Sequence, residues 1–344
     1  MITHPPPALS PARSPTTPPS HRRTRRIIGI LLIISGVLTL TYTAISFFMA
    51  AQLVYEPPKP ILETPADLGL SYRNVVFTSR DDHIRLNGWF IPGVLLDGRL
   101  TTERTLIVVH GTRANRTDFG AGVLDLSGAF ARNGFAILAF DMRGQGESAP
   151  APISFGLLEQ RDVLGAVDFL RQGTVPYPEL GRPRVIGGWG LSMGGAALVM
   201  AAAREPAIKA IVGDSVFTDF APVLEREVPK QGGLPALFTP GALLFGRTFY
   251  GVDYYAIRPV DYIARIVPRP LFLIQGASDE TVPVTDLAAL RKAASVPANA
   301  HVTSWLVPYA WHSQPYHVLE HVYVERVVTF YTESLGLDSS QAQP

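Results

Sequence analysis

The sequence predicts an α/β fold: a mostly parallel central sheet with helices on both faces, preceded by one long apolar helix. Three observations carry this expectation. Short apolar runs bounded by Gly, Pro or Asp alternate with helix-length segments from about residue 70 to 335. Hydrophobic residues make up 47% of the 344-residue chain and charged residues 17%, so a large core can be buried. An uncharged run covers residues 27–53, more than the roughly 20 residues that cross a bilayer core as a helix. The formal net charge of +1 marks no nucleic-acid partner. The absence of cysteine excludes disulfides, thiolate metal sites and a cysteine nucleophile.

Residues 1–26 read as a disordered basic tail, rich in Pro, Ser and Thr and ending in Arg22, Arg23, Arg25 and Arg26. Residues 27–53 follow as a transmembrane anchor. Backbone groups inside lipid must bond within the segment, so the run has to be helical. Tyr42, Phe47, Phe48 and Tyr55 lie toward its far end, where aromatic rings suit the interface. A cleavable signal peptide is the alternative, with Ala50 and Ala51 resembling a cleavage site, but its apolar stretch is only roughly 7–15 residues. A core helix would show a polar face, which this run lacks. Arginines precede the run, while Glu56, Lys59, Glu63 and Asp67 follow it. The positive-inside rule then puts the N-terminus in the cytoplasm and the large domain outside.

A Pro-rich linker is expected within 54–69, and residues 70–336 form the domain, with a flexible tail at 337–344. Residues 74–79 and 84–91 read as an antiparallel hairpin. Parallel strands are expected at 105–110, 135–141, 184–190, 208–213, 271–275 and 302–307. Helices are expected around 118–132, 157–172, 192–204, 285–295 and 315–335. On such sheets ligands bind beyond the carboxyl ends of the strands, and the residues with chemistry fall there.

The run VIGGWG leads straight into LSMGG and then an Ala-rich helix. Gly190-Leu191-Ser192-Met193-Gly194 is therefore a G-x-S-x-G turn between strand and helix, with Ser192 as candidate nucleophile. Gly190 and Gly194 keep side chains out of a turn too tight to hold them. The helix N-terminus faces any anion that forms. A serine hydroxyl needs a base, and the base needs an orienting carboxylate. Asp279 follows the strand LFLIQ in a loop, with Glu280 its adjacent rival and Asp286 a weaker one. His312 follows the next strand, so the order Ser, Asp, His is complete. His301 sits at the wrong end of its strand. His317 and His321 are spaced for a metal on one helix face, but H-V-L-E-H is not H-E-x-x-H and no third ligand stands out.

An oxyanion hole needs two backbone donors. The Met193 amide is one; the Thr112 amide, after His110-Gly111 at an earlier strand exit, is the other. Asp141-Met-Arg143-Gly144-Gln-Gly146-Glu-Ser148 reads as a charged scaffold loop beside the site; its Gly spacing fits no phosphate-binding loop.

The segments VVHG, DMRGQGES, GWGLSMGG, IQGASDETVP and WHS together resemble the α/β-hydrolase superfamily. Within it the chain is similar to membrane-anchored α/β-hydrolase domain proteins and to the hydrolase domains of prolyl-oligopeptidase-type peptidases, over residues 70–335. The resemblance implies an α/β-hydrolase fold with Ser192 as nucleophile, Asp279 as acid, His312 as base, and Met193 and Thr112 as oxyanion donors. Members often carry a Gly shortly before the catalytic His; here Ala310-Trp311 precede it. No β-propeller precedes the domain. A cap is expected at about 216–262, rich in Phe, Leu and Tyr, either as an acyl-accepting lid or as simple cover for the sheet.

The expectation is a serine hydrolase acting on an ester, thioester or amide through an acyl-enzyme. A serine peptidase and a catalytically silent membrane-tethered binding module are the alternatives. Small-molecule or acylated substrates and a membrane are the expected partners, with no nucleic acid, no metal and no organic cofactor.

Overall fold

The computed structural model describes residues 21–174, 176–232, 235–295 and 301–336. Residues 1–20 of the expected tail at 1–26, and the expected tail at 337–344, lie outside them; residues 21–26, expected to be disordered, are instead the start of a helix. The chain divides into two compact units, residues 1–45 and 46–344. The first consists, where described, of the amino-terminal part of helix α1 (His21–Val54). Among the described residues, one helical stretch, Arg23–Val54, is long and apolar enough to cross a membrane.

In the second unit, eight strands among the described residues form one sheet. They are β1 (Arg73–Thr78), β2 (Arg85–Ile91), β3 (Arg104–Val109), β4 (Ala136–Phe140), β5 (Val185–Leu191), β6 (Ile208–Asp214), β7 (Leu271–Gly276) and β8 (Val302–Val307), in the spatial order 1-2-4-3-5-6-7-8. β1 pairs antiparallel with β2, and β2 with β4. The remaining pairs are parallel. β3, β4 and β5 are apolar almost throughout and buried, as strands covered on both faces must be. The order reverses between β4, β3 and β5, so the crevice of a doubly wound sheet opens beyond Val109 and Leu191.

Helices α2 (Val123–Arg132), α3 (Glu159–Gln172), α4 (Met193–Ala202), α5 (Phe220–Gly232), α6 (Thr239–Tyr250), α7 (Val284–Ala294) and α8 (Glu320–Ser334) complete the unit. α4 is buried along its whole length, which explains its unbroken apolar sequence. The expected helices at 118–132 and 315–335 are shorter than the sequence suggested. Residues 115–122 form turns instead, with the Asn115 side chain accepting from the Thr117 amide. The C-terminal segment is broken at Leu319 (φ −138°, ψ 51°) into a single turn, Pro315–Val318, and α8. A two-residue hairpin, Gly93–Val94 with Leu100–Thr101, carries no alternating pattern long enough to be read from sequence.

The linker expected within 54–69 does not hang free. The Val54 carbonyl accepts from Ile153, Glu56 pairs with Arg113, and the Lys59 and Pro60 carbonyls accept from Asn115 Nδ2. Proline-rich sequence has few donors to offer, but its carbonyls remain strong acceptors. The last residues of α1, from Ser46, belong to this unit, with Met49, Ala50 and Val54 buried.

The rim loops are fixed by buried charge. Asp141 accepts from the Arg116 amide (2.7 Å) and Arg116 Nη1 (2.5 Å), which ties the loop after β3 to the loop after β4. Arg116 also lies over the Trp89 ring, 4.3 Å from its centroid. Arg143 is held by Asp162 on α3 (2.7 Å) and by Asp82 in the β1–β2 turn (2.7 Å). Arg143 and Asp162 are both almost fully buried. Breaking such a pair from one side strands the other charge, which costs about 3–5 kcal/mol. Arg143→Met is expected to lose that much stability in urea unfolding, whereas Arg99→Met, in an exposed pair with Asp97, should change it by less than about 1 kcal/mol.

Candidate active site

β5 ends at Leu191, and α4 begins at Met193, so Ser192 alone makes the turn. Its backbone is left-handed, φ 50° and ψ −114°, a conformation that costs a non-glycine residue of order 1–3 kcal/mol. Neighbours hold it there. The Ser192 amide donates to the Asp214 carbonyl at 2.8 Å, and its carbonyl accepts from Ala196 at 2.9 Å. A β-carbon on Gly194 would run into the Val109 and His110 carbonyl oxygens, and one on Gly190 would lie 2.7 Å from the Gly194 oxygen. The two glycines thus let β3, β5 and α4 close around the serine.

His312 lies in the loop between β8 and Pro315–Val318, with its side chain 23% exposed. Nε2 is 3.0 Å from Ser192 Oγ, and Nδ1 is 2.8 Å from Asp279 Oδ2. A carboxylate only accepts, so Nδ1 carries the proton, and Nε2 is left as acceptor for the serine hydroxyl. Asp279 is buried and fully engaged. Oδ1 accepts from the Thr281 and Val282 amides (2.9 and 2.8 Å), and Oδ2 also accepts from Gln275 Nε2 (2.6 Å). The rival carboxylates lie apart from the imidazole: Glu280 is exposed, and Asp286 accepts from the Thr218 amide and hydroxyl. The Ala310 found where relatives often have Gly is buried, and its carbonyl accepts from the Ser278 amide at 2.9 Å. That bond fastens the histidine loop to the aspartate loop.

Met193 is the first residue of α4, so its amide has no intrahelical acceptor. Among the described residues, neither the Met193 nor the Thr112 amide donates to another backbone or side-chain group, and the buried Thr112 hydroxyl has no partner. His110 holds the Thr112 loop. Its Nδ1–H donates to the Gly111 carbonyl (2.7 Å), and Nε2 accepts from the Met142 amide (3.1 Å). Burial pushes its pKa down, against the nearby Asp141 and the Gly111 carbonyl, so it stays neutral. A β-carbon on Gly111 would meet Asp118 and Leu191 only at 3.7 Å, ordinary contact.

A second buried carboxylate was not legible in the sequence. Asp214, at the end of β6, accepts from the Ser215 hydroxyl (2.7 Å) and the Tyr323 hydroxyl (2.8 Å). Trp189 Nε1 donates to Tyr323 Oη at 2.9 Å, and the Ser313 amide donates to Ser215 Oγ at 3.3 Å. This chain of bonds joins β5, α8 and the residue after His312. Burial pushes the Asp214 pKa up to about 6, with the two hydroxyls restraining it. The Tyr323 phenol, raised well above its ordinary value by burial and by Asp214, remains a donor. Asp214 ends β6 and Gln275 is the last residue but one of β7, and only that position could have singled them out. The Tyr323 partner of Asp214 is remote in sequence.

His301 is exposed and immediately precedes β8. His317 Nε2 lies 3.2 Å from the Gly120 carbonyl, and His321 is exposed. Among the described residues, no group of three or more His, Cys, Asp or Glu is placed to hold a metal.

A family model for the alpha/beta hydrolase family matches residues 106–338. The chain belongs to that family. This hydrolase is 28% identical over 270 residues to the uncharacterized protein YfhR of Escherichia coli K12, covering 77% of this chain and 80% of that protein. It is 28% identical over 310 residues to the uncharacterized protein MT2364 of Mycobacterium tuberculosis, covering 90% and 94%. Among solved structures it is similar to the Pyrococcus furiosus esterase Pf2001, with a TM-score of 0.68 and 26% identity over 83% of this chain and 99% of that one. The esterase neighbour and the family together support a hydrolase. The Pyrococcus horikoshii acylaminoacyl peptidase, at 17% identity, shares the fold.

Two expectations follow from this geometry. Gly194→Ala should displace the turn and lower hydrolytic turnover by roughly 100-fold or more, with a lower thermal midpoint. The folded protein keeps the Asp214 proton to about pH 6, while the unfolded chain releases it near 3.8. Stability therefore falls as pH rises through that window. The urea midpoint should drop less between pH 4 and 6.5 in Asp214→Asn than in the wild type.

Proposed function

We propose that the protein is a membrane-tethered serine hydrolase that cleaves an acyl ester, thioester or amide bond through an acyl-enzyme. The observation that carries this reading is the continuous line of hydrogen bonds Ser192–His312–Asp279, at 3.0 and 2.8 Å.

His312 Nε2 takes the proton from Ser192 Oγ as the oxygen adds to the acyl carbon. Asp279 stabilises the imidazolium and is not itself protonated. The negative charge developing on the former carbonyl oxygen is met by the Met193 and Thr112 amides, the first reinforced by the α4 dipole. Both donors stand ready, since no other protein group competes for them among the described residues. The imidazolium then protonates the leaving group, which departs as alcohol, thiol or amine. Water, deprotonated by the same imidazole, repeats the addition on the acyl-enzyme, and collapse releases the carboxylic acid and restores Ser192.

The strained Ser192 backbone and the four acceptor contacts of Asp279 support a reactive site held in place before substrate arrives. The long apolar helix supports an anchor at 27–53. Arg22, Arg23, Arg25 and Arg26 favour a cytoplasmic N-terminus, with the hydrolase on the other side. A small-molecule or acylated substrate of the membrane surface fits that placement.

The test is Ser192→Ala in the full chain. Turnover of p-nitrophenyl acyl esters should fall by several orders of magnitude, and labelling by a fluorophosphonate should vanish while the thermal midpoint holds, since alanine keeps the β-carbon and the same turn. Turnover undiminished in pure variant protein would overturn the assignment.

A further inference from the structure

The cap begins immediately after Ser215, whose hydroxyl touches the loop of His312, and it includes α5 and α6. α6, TPGALLFGRTFY, holds no acidic residue. Its inner side is well packed: Ala242, Leu243 and Gly246 are buried, and Gly246 lies so close to the Tyr254 ring that no β-carbon would fit. Its outer side exposes large apolar residues beside Arg247 and Thr248. Leu244 is 58% exposed and Phe249 66%, and Leu237 on the preceding turn is 69% exposed. Arg247 projects among them, 3.5 Å from Asp253.

The segment that touches this helix is the end of α1. Phe47 sits against Phe245, Phe249 and Tyr250, with ring centroids 5.7, 5.6 and 6.2 Å away, and Tyr55 lies 5.6 Å from Tyr250. Ser46 Oγ donates to the Phe238 carbonyl at 3.4 Å. Phe48, next in the chain, is 58% exposed.

Helix length then decides where a bilayer surface would fall. A hydrocarbon core of about 30 Å takes about 20 residues at 1.5 Å each. Counted from Ile27, the residue after the arginine cluster, this ends at about Ser46. The exit point coincides with the residues packed on α6. We infer that the outer side of α6 is a membrane-contacting face, with Leu237, Leu244, Phe249 and Phe48 seated in the outer-leaflet headgroup region and Arg247 among the phosphates. The inference rests on the anchor reading. The occupant is the bilayer from which the chain itself emerges, because the residues packed on α6, Ser46 and Phe47, stand at the end of the span in the sequence. Aromatic and leucine side chains with an arginine and no acid are what an interfacial helix requires. The cap that starts at the catalytic rim would then end in lipid, which fits an acyl ester resident in the bilayer as the substrate class.

The chain has no cysteine, so single labels can be placed without altering other positions. Nitroxides would be attached at Leu244→Cys, Phe249→Cys, Leu96→Cys and Ile34→Cys in the full chain, reconstituted in phosphatidylcholine–phosphatidylglycerol vesicles. Leu96, fully exposed, lies in the loop past Ile91, at the edge where the parallel strands begin and away from the cap. Collision with lipid-soluble oxygen and with a water-soluble nickel chelate is read at each. Labels at 244 and 249 should favour oxygen several-fold over the label at 96, and the label at 34 should favour it most. If 34 reports lipid while 244 and 249 behave like 96, the cap inference is wrong and the anchor stands. If 34 reports water, the anchor reading fails and the inference falls with it.

Discussion

The whole rim of the sheet is arranged around one turn that has no room for a side chain on either flank. Ser192 reverses the chain between a buried strand and a fully buried helix in a single left-handed residue. Such a turn is stable only if the surroundings determine it from several directions. Here the Asp214 carbonyl fixes the Ser192 amide, and the Val109 and His110 carbonyls lie where a Gly194 side chain would be. The serine hydroxyl is thereby brought within 3.0 Å of His312 Nε2, and the first amide of α4 is left without an acceptor. Both are consequences of the same backbone constraint.

The partners of that serine are set on loops, and loops are the mobile part of most folds. This protein restrains them with side-chain bonds to neighbouring loops, to β7 and to α3. Asp279 accepts from its own loop amides and from Gln275, and the Ala310 carbonyl fastens the histidine loop beside it. Arg116 with Asp141 and Arg143 with Asp162 and Asp82 tie the loops beyond β3 and β4 to the body. Buried ion pairs add little net stability because desolvation offsets attraction. Their value here is geometric: a loop held by a bidentate arginine has few alternative positions. The Asp214–Tyr323–Trp189 chain does the same on the far side of the histidine, at the cost of a buried carboxyl whose pKa is raised to about 6.

The elements most legible in the sequence were those whose signal is local. Strand β5, the G-x-S-x-G turn and the apolar α4 are contiguous, and glycine at 190 and 194 states a backbone requirement directly. Boundaries failed where side chains compete with helical hydrogen bonds, as at Asn115 and Thr117 before α2. The 54–69 segment looked like a free linker because proline-rich sequence resembles spacer. Only the fold shows that its carbonyls find donors on Asn115 and Ile153.

What the sequence determined by itself was the alternation of strand and helix, the position of the serine in a turn, the chain order of serine, acid and histidine, and a helix able to cross a membrane. Each follows from spacing along the chain, which hydrophobic period and backbone sterics translate into local structure. What the tertiary structure decided was distance. The 120 residues from Ser192 to His312 and the 109 from Asp214 to Tyr323 collapse to 3.0 and 2.8 Å. Those contacts depend on strand order and on which loops meet at one edge, and no local pattern encodes them. The same holds for the contacts of Phe47 with Phe245 and Phe249 on α6, which join residues far apart in the chain.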